Sequence, residues 1–149
     1  MSHFLSFPDQ TPTATTEAEA VMELIPNSLP GPKEEIAMAT ITDDQMRALL
    51  PTTKIYSVMI LKAGPNRHVA GVDSIIWEHG RRNFSMRADG LLSIVCPVGD
   101  GTEVCGIGIF NLGPEETSKI MEDDPGVKAG VFVYEVHPCR SFPGDVLPA

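Results

Sequence analysis

From Ile55 onward the chain switches between two hydrophobic rhythms. Ile55-Tyr56-Ser57-Val58-Met59-Ile60-Leu61 is β-branched, aromatic and almost continuously apolar, and Gly64-Pro65-Asn66 ends it; such a run predicts a central strand. Between about Val69 and Ala88 the period lengthens. Apolar side chains recur at Val72, Ile75, Ile76 and Met86 with His79 on the same stripe, while Arg81, Arg82 and Arg87 fall largely elsewhere. That pattern predicts an amphipathic helix, closed by Asp89-Gly90. Leu91-Leu92-Ser93-Ile94-Val95-Cys96 predicts a second strand, and the Gly- and Asp-rich stretch from Pro97 to Gly101 a turn. A third strand is expected over about 103–111, with Cys105, Ile107 and Ile109 on one face and Val104, Gly106, Gly108 and Phe110 on the other. The two glycines leave a shallow place there. Gly113-Pro114-Glu115-Glu116 opens a second helix, with Pro early and acids in the first turn, and Val131–Val136 follows as a fourth strand.

The order β-α-β-β-α-β is the split βαβ of ferredoxin-like α+β folds. A four-stranded antiparallel sheet with both helices on one side leaves its other face open and apolar enough to need a cover. A second copy of the same sheet is a common one, so a homodimer is expected.

What precedes Ile55 reads differently. Residues 1–54 hold six of the 13 prolines, with eight acidic and three basic residues, whereas both tyrosines, the tryptophan and all three cysteines lie in 55–149. This divides the chain into a largely irregular N-terminal arm, 1–54, and a packed domain, 55–149. Within the arm, Ala20–Ile25 is an apolar island compatible with a short helix. Thr42-Asp43-Asp44-Gln45 has capping-box spacing before Met46, Leu49 and Leu50, predicting a helix over about 43–50 that ends at Pro51. Met38 is a plausible alternative start.

Charge narrows the partners. Eleven basic against 20 acidic residues leave a net charge of −9, and such a surface repels phosphate backbones and anionic membranes. Neither nucleic acid nor membrane is expected as a partner. No targeting segment and no apolar run near the length of a bilayer span is evident, so a cytoplasmic protein is the default. Cys96, Cys105 and Cys139 lack ligand spacing, and no metal or cofactor is indicated.

Candidate chemistry centres on His79, whose ring the helical stripe turns towards the sheet. A lone His there is commonly a core residue, yet imidazole titrates near neutrality and suits proton transfer. Asp124, followed by Pro125, reads as a helix N-cap. Tyr56 on strand one, Glu103 at the start of strand three, Trp77, Arg82, Gly106 and Gly108 are the further pocket candidates. His68 and Arg81 are weaker ones, the arginines doubling as the helix's solvated side.

His79 lying eleven positions before Gly90, Gly90-Leu91-Leu92 and Pro97 at the second strand, Glu115-Glu116, and Asp124-Pro125-Gly126-Val127-Lys128-Ala129-Gly130 before the last strand together resemble the YciI-related family. The resemblance covers about residues 55–138. It implies a dimeric α/β barrel of ferredoxin-like units and a catalytic His-Asp pair, which on this chain is His79 with Asp124. The implied function is cofactor-independent proton transfer on a cyclic or aromatic metabolite: elimination, isomerisation or decarboxylation, by an enzyme of lyase or isomerase type. One branch of the family includes a dehydrochlorinase of a chlorinated hydroxyquinol. Two departures stand out. Ile76-Trp77-Glu78 occupies a place where many relatives carry a basic residue, and Cys96 precedes Pro97 where Gly is common. Two other readings compete: a non-catalytic dimeric ligand-binding or interaction module, and a cofactor-free oxygenase.

Overall fold

A computed structural model describes residues 38–149, and the island at Ala20–Ile25 lies outside the described residues. Residues 41–149 group as one unit by their contacts. Helix α1 (Asp43–Leu49) is followed by a 3-10 turn, then β1 (Lys54–Ala63), α2 (Val72–Ala88), β2 (Leu92–Pro97), β3 (Val104–Phe110), α3 (Pro114–Glu122), the short α4 (Pro125–Lys128) and β4 (Phe132–Ser141). The strands lie in the order β2-β3-β1-β4, every neighbouring pair antiparallel. This is the ferredoxin-like α+β arrangement.

The local chemistry explains the boundaries. The α1 capping box is formed: Gln45 N–H donates to Thr42 Oγ1 while the Thr42 N–H donates to Gln45 Oε1, at 3.3 and 2.8 Å. Helix α2 begins at Val72, three residues later than the periodicity suggests, because Gly71 takes φ +86° and interrupts the turn. At its other end Leu91 N–H reaches Met86 C=O and Gly90 N–H reaches Arg87 C=O, a Schellman closure around the left-handed Gly90.

Strand alternation divides the two faces of the sheet. Met59, Leu61, Phe110 and Phe132 are buried beneath the helices, packed with Val72, Ile75, Ile76 and Met86 of α2 and Met121 of α3. Burying each large apolar side chain is worth about 1.5–3 kcal/mol, so this one-sided layer carries most of the fold's stability. On the opposite face Val58, Ile109 and Ile94 stand side by side across β1, β3 and β2, and Ile60 faces Ile107. None of these five is fully buried.

Two strand expectations need correction. β4 runs on to Ser141 through Pro138, which a central strand would exclude; β4 is an edge strand bonded only to β1, so one missing N–H is tolerated. In β3 the register slips between Leu61 and Lys62, with Gly106 opposite Leu61 and Val104 opposite Lys62. Cys105 is thereby the extra residue of a bulge and packs against the core, so Val104 no longer shares the face of Gly106.

Among the described residues no helix is long and apolar enough to cross a membrane.

Candidate functional site

The site is assembled from three backbone devices. Helix α2 carries His79 and Asn83 one turn apart, which places both on the same face. The α3–α4 junction carries Asp124 as the N-cap of α4, where Pro125 supplies the first helical position without needing a donor. Strand β4 begins with Phe132, whose ring lies 4.8 Å from that of His79. Gly126 makes this packing possible: a Cβ there would run into the Phe132 ring.

Asp124 is fully buried, and its two oxygens divide their work. Oδ1 accepts from the backbone N–H of Gly126 at 2.9 Å and of Val127 at 3.2 Å. Oδ2 lies 2.8 Å from His79 Nδ1. On the far side of the imidazole, Asn83 Nδ2 lies 3.0 Å from Nε2. One arrangement satisfies both contacts: Nδ1–H donates to the carboxylate, and Nε2 accepts from the amide. In this arrangement the carboxylate orients the ring through Nδ1 and leaves Nε2 facing Asn83.

Burial by itself pushes the Asp124 carboxyl up. The hydrogen bond and charge of His79, with the N–H donors of Val127 and Gly126, outweigh it and hold the group below its ordinary value of 3.8. Arg82 adds a cation behind the pair, with Nη1 at 3.7 Å from Asp124 Oδ2 and Nη2 donating to Ile120 C=O at 2.7 Å. Arg82 Nη1 is buried and makes no hydrogen bond among the described residues. The guanidinium therefore anchors α2 to the end of α3 and supplies positive charge to Asp124.

A cleft of about 630 Å³ opens beside this cluster, between α2 and the sheet. His79 and Asn83 form one wall with Ile76, and Gly106 and Gly108 form the floor with Leu92 and Val95. The floor exists because the glycines carry no side chain. A Cβ on Gly108 would lie 3.0 Å from Leu92 Cδ1, and one on Gly106 would lie 3.2 Å from the Cys96 carbonyl oxygen.

The structure brings His79, Asp124, Gly106 and Gly108 into one neighbourhood, together with Arg82 behind Asp124, but not Tyr56, Trp77 or Glu103. Arg82 reaches the pair without lining the cleft. Tyr56 shares the face of Val58 and Ile60, opposite Met59 and Leu61, and lies under Lys54 Nζ, 5.5 Å from its ring centre. Trp77 is 70% exposed because it sits off the His79 stripe. Glu103 is exposed beside Lys62, at 3.7 Å. His68 does line the cleft, while Arg81 pairs with Glu78 in solvent. Asn83 and Arg67 also line the cleft, and neither is singled out by the sequence. Asn83 was legible in principle, being four residues after His79 on a helix, but a polar residue at that spacing equally fits the solvated side.

Among the described residues no three His, Cys, Asp or Glu side chains cluster as metal ligands do. No protein-family model matches the chain, and no curated protein matches it either.

Proposed function

We propose that the chain is a small-molecule enzyme in which His79 moves a proton to and from a cyclic or aromatic metabolite bound in the α2 cleft, as the YciI-like resemblance implies. The observation that carries this reading is the buried Asp124–His79 contact of 2.8 Å, with His79 and the Asn83 that meets its opposite nitrogen both lining the cleft. A buried carboxylate on Nδ1 holds one tautomer and stabilises the imidazolium that forms when Nε2 accepts a proton. In the forward step the Nε2 lone pair takes a proton from a carbon next to a carbonyl, and the C–H electron pair moves into the carbonyl as an enolate. Return of the proton to another carbon gives isomerisation; loss of a leaving group gives elimination, the product class of a lyase. Asn83 must release Nε2 for this to happen. Rotating its amide then presents Oδ1 to the new Nε2–H.

The working unit in this reading is a homodimer, the stripe of Val58, Ile60, Ile94, Ile107 and Ile109 being covered by the same stripe of a second copy. A pocket of this kind also suits a non-catalytic ligand-binding module, with His79 as a packed side chain, and the two readings part on turnover. The test is His79→Ala and Asp124→Asn, each assayed on a panel of cyclic ketones, lactones and halogenated phenols. Loss of turnover in both with folding retained is expected. Full activity in both variants overturns the mechanism, and ligand binding without turnover in the wild type favours the binding module.

A further inference from the structure

The protein carries 20 acidic residues, yet no Asp or Glu lines the cleft among the described residues. Its basic side chains are Arg67, His68 and His79. Arg67 is the fixed charge of the three. Its guanidinium sits over the Phe132 ring, 5.6 Å from the ring centre, and the same ring packs against His79. A cation–π contact of this kind holds a guanidinium in place and leaves its N–H donors available.

The backbone holds Arg67 in place as well. Its N–H donates to Gly64 C=O, and the preceding Asn66 is tied twice to the loop before β4, through its N–H to Gly130 C=O at 2.9 Å and its side-chain amide to Ala129 C=O at 2.8 Å. Arg67 is half-buried. No carboxylate among the described residues pairs with it, whereas Arg81 and Arg82 each stand beside one. A half-buried cation over an aromatic ring, without a counter-ion and lining an apolar cleft, is built to receive an anion from outside the chain.

We infer that the cleft selects a small ring-bearing carboxylate, its carboxyl group held by Arg67 and its ring laid over the Gly106/Gly108 floor between Ile76, Leu92 and Val95. Arg67 and His79 both contact the Phe132 ring, so a carboxylate on Arg67 keeps the ligand beside His79. This deepens the proposed function by naming the ligand class, and it rests on that reading only for what His79 does next.

The experiment is a binding titration of the full chain with benzoate, salicylate and cyclohexanecarboxylate, each against its neutral amide, followed through the backbone amide resonances of Gly106 and Gly108. The expected result is that an acid binds at least tenfold more tightly than its amide and moves those resonances. Arg67→Gln should remove the preference, and Arg81→Gln, at a solvent arginine outside the cleft, should keep it. Equal binding of acid and amide for all three pairs, no saturable binding by any acid, or an undiminished preference in Arg67→Gln overturns the inference. The wild-type comparison needs no variant, so a poorly folded Arg67→Gln does not blunt the test. Turnover of neutral substrates alone would refute the carboxylate and leave proton transfer standing, whereas acid-selective binding without turnover would do the reverse.

Discussion

Asp124 caps helix α4 with one oxygen and orients His79 with the other, so one buried carboxylate ties a fold element to the candidate catalytic group. The two duties make separable demands on a substitution. Asp124→Ala removes both, leaving two backbone donors and an imidazole N–H without their partner. It should cost about 1–3 kcal/mol of stability, seen as a lowered denaturation midpoint. Asp124→Asn retains an oxygen for the cap and should melt closer to wild type while losing about 10²–10⁴ in kcat on any substrate the wild type turns over.

Stability should weaken in acid through the same residue. The Asp124 carboxyl is held below its ordinary value of 3.8, so its contribution is present above that value and is lost as pH falls through the folded-state value. Urea midpoints of wild type and Asp124→Asn should therefore differ most near neutrality and converge below about pH 4. A gap that stays constant into acid would place the stabilising role of Asp124 elsewhere than in its charge.

The tautomer is directly observable. In the neutral form of the ring, Nδ1–H on Asp124 with Nε2 accepting from Asn83 predicts imidazole nitrogen resonances with Nδ1 protonated and Nε2 bare. Asn83→Ala should leave Nε2 bare, and by uncovering the lone pair it should not lower kcat more than a few-fold. A wild-type ring protonated on Nε2 alone would contradict the arrangement.

Filling the floor should close the cleft before it breaks the fold. A Cβ at Gly108 meets the ends of two flexible side chains, Leu92 at 3.0 Å and Met59 at 3.3 Å, along with the Phe110 ring at 3.3 Å. Gly108→Ala is expected to cost about 1–3 kcal/mol as these side chains shift. Ligand affinity should fall at least tenfold in the same variant, measured by titration of the carboxylate that wild type binds best.

If a second copy covers the open sheet face, a charge placed at its centre will prevent assembly. Ile109→Glu should be monomeric by light scattering at concentrations where wild type is dimeric, with its helix content retained. A wild-type monomer in the same measurement would remove the dimer from the proposal.

Much of this architecture was written in local chemistry. The strand run at Ile55–Leu61, the stripe on α2 and the Asp-Pro start of α4 each depend on neighbours a few residues away, so periodicity and capping rules reach them. The β3 bulge at Cys105 and the passage of β4 through Pro138 depend on which strand lies alongside, and local pattern is silent on that. The pocket candidates divide in the same way. His79 lies on a stripe that turns inward by helical period alone, whereas Tyr56 could be assigned to the cleft only by knowing which face of β1 the helices cover.

By itself the sequence determined the order of elements, the helical face bearing His79, the capping duty of Asp124 and the bare patch at Gly106 and Gly108, because each follows from backbone geometry over one or two turns. Only the tertiary structure decided that α2 and the α3–α4 junction meet, so that residues 45 positions apart share a 2.8 Å contact. It alone placed Asn83 on Nε2 and Arg67 on the Phe132 ring. Those contacts arise from packing two helices on one face of a twisted sheet, and no periodicity along the chain encodes the distance between surfaces brought together in that way.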